Sequence, residues 1–290
     1  MRTSLILLVA ILSVASAVAQ DVLPGTQRLS MEQPLDEVMV EGIDRFALRA
    51  IAEPRGQRDL LWWEVLAEDP GQGERIDELR QQFRTIIGAV DERVVEPEVE
   101  LIATTRRSSI VGRGSGYVVH VVRWPVLEGV TAEGLLLEPV GDARARIVAL
   151  PDADWTPEMF AGLETGVETA AQIPAKLAES GMQVLVPTLI SRDDTYSGHP
   201  DIRFTNQPHR EFVYRMAFEM GRHVIGYEVQ KVLAAVDVFE RWNRQDGIDL
   251  SIGVTGVGEG GFLALYSAAV DPRIDAVHVA GYFQPREGVW

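Results

Sequence analysis

The residues best placed to do chemistry stand in one turn, "TGVGEGG", Thr255 to Gly261. An apolar strand pattern from Ile252 precedes it, a helical pattern follows, and a second apolar strand ends at Phe283. A glycine-rich corner between strand and helix serves one of two chemistries. Spaced G-x-G-x-x-G, it lets a dinucleotide pyrophosphate approach the helix N-terminus. Spaced G-x-S-x-G, it holds a nucleophile at a cramped apex. Gly256, Gly258 and Gly261 satisfy the first spacing; Gly256 and Gly260 supply the flanks of the second. In the second reading Gly258 is the apex, and the nucleophile's place is taken by a hydrogen atom.

The dinucleotide reading needs an acidic side chain at the carboxyl end of the next strand, to grip the ribose. That strand reads "AVHVAGYF", and Asp275 stands at its amino end. The corner also arrives late, after several strand–helix units, with little sheet left to follow. What the nucleophile reading retains is backbone. The amides of Glu259 and of Asp152 or Ala153 would form an anion-binding pocket of the oxyanion type. Glu259 opens the helix, where the dipole favours its charge. Ser267, nine residues beyond the apex, reads as a small packing residue. Thr195 and Ser197 lie near the expected site, with no base identifiable beside them.

A second informative stretch is the polar loop "SRDDTYSGHPDIRFTNQPHR" and the helix it enters. Long loops over a sheet's carboxyl edge are often functional. Arg192, Asp193, His209 and Arg210 are the binding candidates, the arginines for a carboxylate or sugar hydroxyls. Glu211, Arg215, Glu219 and His223 recur every four residues, which reads as a salt-bridged helical face. His209 and His223 are too far apart on one helix to share a metal, no H-E-x-x-H spacing occurs, and His120 and His278 fall in strand patterns. No metal and no cofactor are expected. With no cysteine in the chain, disulfides and thiolate chemistry are excluded.

The elements that must position these residues follow a plan. "MRTSLILLVAILSVASAVAQ" has a basic start, a short apolar run and an Ala-Val-Ala exit, the layout of a secretory signal peptide over 1–19. The chain of 290 residues carries a net charge of −16, and removing that leader takes away only Arg2. Such a surface repels nucleic acid and anionic membrane, so neither is an expected partner. Residues 20–112 read as an N-terminal appendage. In it, Ile76, Leu79, Phe83, Ile86 and Val90 trace one helical face, and Trp62 and Trp63 are expected to anchor its packing. From 113 to 290 the rhythm is a strand pair, a buried strand "RIVAL", a helix capped by Thr156-Pro157, a strand "MQVLVP", and a long helix with the stripe Val232, Leu233, Val236, Phe239 and Trp242 before Gly247. Strands alternating with helices after a hairpin argue an α/β three-layer sandwich with a mostly parallel sheet.

The corner, its helix and its following strand resemble the segment after the nucleophile in secreted α/β-hydrolases of the acetyl xylan esterase and dienelactone hydrolase-like group. The resemblance runs from about Glu74 to Trp290 and includes "RIDELRQQFRTIIGAV", the pair "GYVVHVVRWPVLEGVTAEGLLLEPV" and "RIVALPDAD". It implies an α/β-hydrolase fold, ester hydrolysis and a small-molecule or carbohydrate ester ligand. Two departures stand out: Pro151-Asp152 replaces the group's His-Gly, and Gly258 replaces the nucleophile. In the group's chain order the triad's acid and histidine follow later strands, so the domain is expected to be partial, stopping after about its sixth strand. Two other functions stay open: a non-catalytic ligand-binding or scaffold domain, and a dinucleotide-binding oxidoreductase.

Overall fold

The structure is a computed structural model that describes residues 24–27, 30–67, 73–195, 198–199, 201 and 206–283. The expected signal peptide and Ser197 lie outside the described residues. Two compact units divide between Pro70 and Gly71. The first holds helices α1 (Leu35–Ala52) and α2 (Arg55–Ala67). None of the α1 residues is buried, and Trp62 and Trp63 are exposed. Among the described residues nothing encloses the indoles, contrary to the expectation that they anchor packing.

The second unit carries the sheet. Its elements are α3 (Glu74–Ile86), β1 (Glu100–Leu101), β2 (Ile110–Gly114), β3 (Tyr117–Leu127), β4 (Val130–Pro139), β5 (Arg146–Leu150), α4 (Pro157–Phe160), α5 (Ile173–Glu179), β6 (Gln183–Pro187), α6 (His209–Glu219), α7 (Val224–Asp246), β7 (Ile252–Val257), α8 (Glu259–Val270) and β8 (Ala276–Ala280). Strand order is β1-β3-β4-β6-β5-β7-β8, with β2 paired on β3. The block β6-β5-β7-β8 is parallel, and the β1–β4 side is antiparallel, joined to β6 through β4. The sheet is thus mixed.

Strand alternation feeds two cores, one per face. On β3, Val122, Trp124 and Val126 face α7 and α8, while Tyr117 and Val119 face the other layer with Phe160 of α4 and Ala178 of α5. Leu135, Leu136 and Leu137 of β4 divide between both cores. Burial on both faces explains why these strands read as unbroken apolar runs. The α7 stripe is observed: Val232, Leu233, Val236 and Phe239 are buried, and Gly247 closes the helix in the left-handed region at φ 66°. The α3 stripe holds only in part, for Ile76, Ile86 and Val90 are exposed. Phe83 packs on the core, but its partner one turn on is Ile87, not Ile86, which is exposed. The helix stops at Ile86, and Gly88 at φ 72° swings the chain away before Val90.

The α7 layer is pinned to the amino edge of the sheet by Arg146. Its guanidinium, almost wholly buried, donates to Gln183, to the Phe239 carbonyl, to Asn243 and to Asp246 at 2.6–3.1 Å. A buried cation needs this many acceptors. With that end fixed, the opposite ends of β5, β6 and β7 are presented where open parallel sheets bind ligands.

Candidate functional site

The corner forms at the carboxyl end of β7. Gly258 adopts φ 57°, ψ −120°, a backbone state that is costly for any side chain. Its N–H donates to the Ala280 carbonyl at 2.8 Å, and its own carbonyl receives the Phe262 N–H. The flanking glycines are demanded by close packing. A Cβ on Gly256 would stand 2.0 Å from the Gly260 carbonyl oxygen, and one on Gly260 would stand 2.3 Å from that of Pro151. The third glycine of the dinucleotide spacing, Gly261, packs against the Ala280 carbonyl. The glycines thus seat helix on strand, and Asp275 accepts the Ile252 N–H at the start of β7. Among the described residues, no acidic one stands at the carboxyl end of β8 to hold a ribose.

What fills the apex is a neighbour's side chain. A Cβ built on Gly258 would meet Asp152 Oδ2 at 2.6 Å and its Cγ at 2.8 Å. The Asp152 carboxylate therefore lies where a nucleophile would project. Its Oδ1 accepts the Ala153 N–H at 2.7 Å and the Glu259 N–H at 3.3 Å. These are the amides expected to bind an anion, and the anion they hold belongs to the protein. The α8 N-terminus adds a favourable dipole.

Around this point the loop and α6 supply cations. Arg192 pairs with Asp154 at 2.9 Å and lies 3.6 Å from Asp152 and 3.7 Å from Glu259. Burial works against its charge, yet the hydrogen bond to Asp154 and the three carboxylates more than offset this, so its pKa is raised. Arg210 bridges Glu259 and Glu228 and donates to the Ile190 carbonyl. Glu228, on α7, is fully buried; its Oε1 also takes the Ile190 N–H at 2.7 Å, and its Oε2 faces Lys231 at 2.6 Å as an ion pair. Asp193 contributes its carbonyl, which accepts the His209 N–H. His209 Nδ1 lies 2.9 Å from Ser191 Oγ.

Six residues singled out in the sequence thus come together: Asp152, Ala153, Arg192, Arg210, Gly258 and Glu259. The two arginines are engaged by the protein's own carboxylates. Thr195 lies on the exposed loop, and Ser267 is buried in α8 without a partner for its hydroxyl, as a packing residue. His223 ends the row that began at Glu211. Arg215 pairs with Glu211 at 2.7 Å, but the helix breaks after Glu219, Gly221 takes φ 68°, and His223 caps α7 by accepting the Ile225 N–H. Burial, then the Arg210 charge, hold its pKa below the ordinary imidazole value.

The sequence reading missed the Asp152 side chain, Ser191 and Glu228. A signal for Glu228 existed: an acid at a position flanked by Val224, Val229 and Val232 faces the core, and such an acid must be paired. Among the described residues no cluster of metal-binding groups occurs, and no helix is long and apolar enough to cross a membrane.

The chain resembles in structure a candidate acetyl xylan esterase from Bacteroides fragilis (16% identity, TM-score 0.48, 70% of this chain and 52% of that one). It also resembles acetyl xylan esterase 1 from a Thermoanaerobacterium (16%, 0.37, 70% and 57%) and a glucuronoyl esterase from Solibacter usitatus (12%, 0.40, 68% and 56%). The chain spans little more than half the length of these proteins. No curated protein matches it. Residues 157–286, which include the loop, α6, α7, the corner and α8, match the model described as the dienelactone hydrolase family. With the sheet and the corner in hand, the likeness to the dienelactone hydrolase family is placed on residues 157–286, the part of the chain that carries the corner.

Proposed function

We propose that this is an exported, esterase-derived α/β-hydrolase-type protein whose corner no longer performs serine acyl transfer, and whose carboxyl edge serves as a ligand-binding face. The observation that carries the reading is the Asp152 carboxylate, seated over Gly258 and held by the Ala153 and Glu259 amides. Acyl transfer needs an attacking group and an empty donor pair waiting for the developing oxyanion. Here the first is a hydrogen atom and the second is filled by a fixed negative charge. By kinship the ligand class is a carbohydrate ester or similar small molecule, and the leader-like N-terminus supports export.

A burst assay with a chromogenic acetyl ester tests this. The protein is expected to show no acyl-enzyme burst. Gly258→Ser alone is expected to stay inactive, because its Cβ meets the Asp152 carboxylate. A burst from the unaltered protein would overturn the reading.

One observation favours a second reading. Ser191 already shares a 2.9 Å hydrogen bond with His209, one residue from Arg192. A burst abolished by Ser191→Ala and by His209→Ala would move the nucleophile there.

A further inference from the structure

We infer that the groove walled by α3, residues 89–97 and α7 is a second binding site, made for a small hydroxylated carboxylate. It lies away from the corner. Its walls run along α7 from Gln230 to Arg244 and include Arg273, which precedes β8, whereas Gly258 stands at the opposite end of β7. The volume is about 600 Å³, in the range of small-molecule sites.

Two donors of the groove bear on the ligand, the Gln230 amide and the Arg84 guanidinium. Gln230 is 1% exposed, and its Nε2 has no hydrogen-bond partner among the described residues. Its chain neighbour Val229 is a core residue, as are Val232 and Leu233 just beyond. An unpaired buried amide is costly there, and an apolar side chain would avoid the cost. Arg84 gives one hydrogen bond, to the Val270 carbonyl at 2.8 Å, and pairs with no carboxylate among the described residues.

The acids of the groove are mostly taken. Asp237 lies between Arg93 and Arg273, each at 2.7 Å, and Glu96 pairs with Arg244 at 2.7 Å. An amide and a guanidinium together ask for an oxyanion. Among the described residues Glu92 carries no pair, and Glu240 only a 3.9 Å one with Arg244. Two carboxylates at the same groove repel a phosphate dianion more than a monoanion, which selects a carboxylate. The engaged carboxylates leave acceptor sites for ligand hydroxyls.

Calorimetric titration of the full chain with gluconate tests the site, with methyl glucoside and glucose 6-phosphate as neutral and dianionic comparators. Gluconate is expected to bind saturably. Arg84→Gln and Gln230→Met are each expected to weaken it at least about tenfold. Gln230→Met is expected to keep or raise the melting temperature, because it removes an unpaired polar group; this separates lost recognition from lost folding. The inference is overturned if gluconate does not saturate, if both variants bind it unchanged, or if methyl glucoside or glucose 6-phosphate binds as tightly.

Discussion

At the residue scale, the decisive pair is Gly258 and Asp152. Putting any side chain at Gly258 incurs two costs: a backbone state worth about 1–3 kcal/mol of strain, and a clash with the carboxylate 2.6 Å away. Gly258→Ala is therefore expected to lower stability by about 2 kcal/mol or more, read by chemical denaturation. Combining it with Asp152→Ala should recover part of that loss, because the clash goes and the strain stays. Independent, additive losses would show that the carboxylate does not occupy the apex. His223 gives a pH prediction. Its folded pKa is depressed, by burial first and by the Arg210 charge second, and the ring accepts the Ile225 N–H. The unfolded chain therefore binds the proton more readily, and the contribution of this group is complete above about pH 6.5. It declines as pH falls through the lowered folded value. Melting temperature should drop on acidification from about pH 6.5 down to that lowered value, and His223→Asn, which keeps a capping acceptor without the titration, should flatten the drop.

At the scale of elements, the corner is a close contact between β7 and α8 that only glycine allows. Gly256→Ala and Gly260→Ala push a methyl to within 2.0 and 2.3 Å of backbone oxygens, and backbone cannot yield as a side chain does. Each is expected to cost about 3 kcal/mol or more, with loss of soluble expression as the first readout. At the other end of the sheet, Arg146→Leu strips donors from Asn243 and Gln183. Leaving those buried acceptors unpaired costs about 1–3 kcal/mol each, and thermal unfolding should show it even though the change lies far from Gly258. Elements were also where reading and structure agreed best. The capping Thr156, the stop at Gly247 and the α7 stripe are local signals, and each acts within a few residues.

At the scale of the whole molecule, both cores are built from residues at and beyond Phe83. A chain beginning at Gly71 is expected to melt within a few degrees of the intact one; a loss of more than about ten degrees would show that residues before Gly71 contribute to the core.

The sequence by itself determined the alternation of strands and helices, the glycine corner, the absence of a serine at its apex and the acidic surface, because these depend on spacing and composition along the chain. Tertiary structure alone decided that Asp152, more than a hundred residues from Gly258, fills the apex, that Arg192 and Arg210 are bound by carboxylates from three different segments, and that the Gln230 Nε2 finds no partner among the described residues. Periodicity reports which face of an element is apolar. It carries no information on which polar atoms meet once the elements pack, and a carboxylate's role is set by the donors it meets.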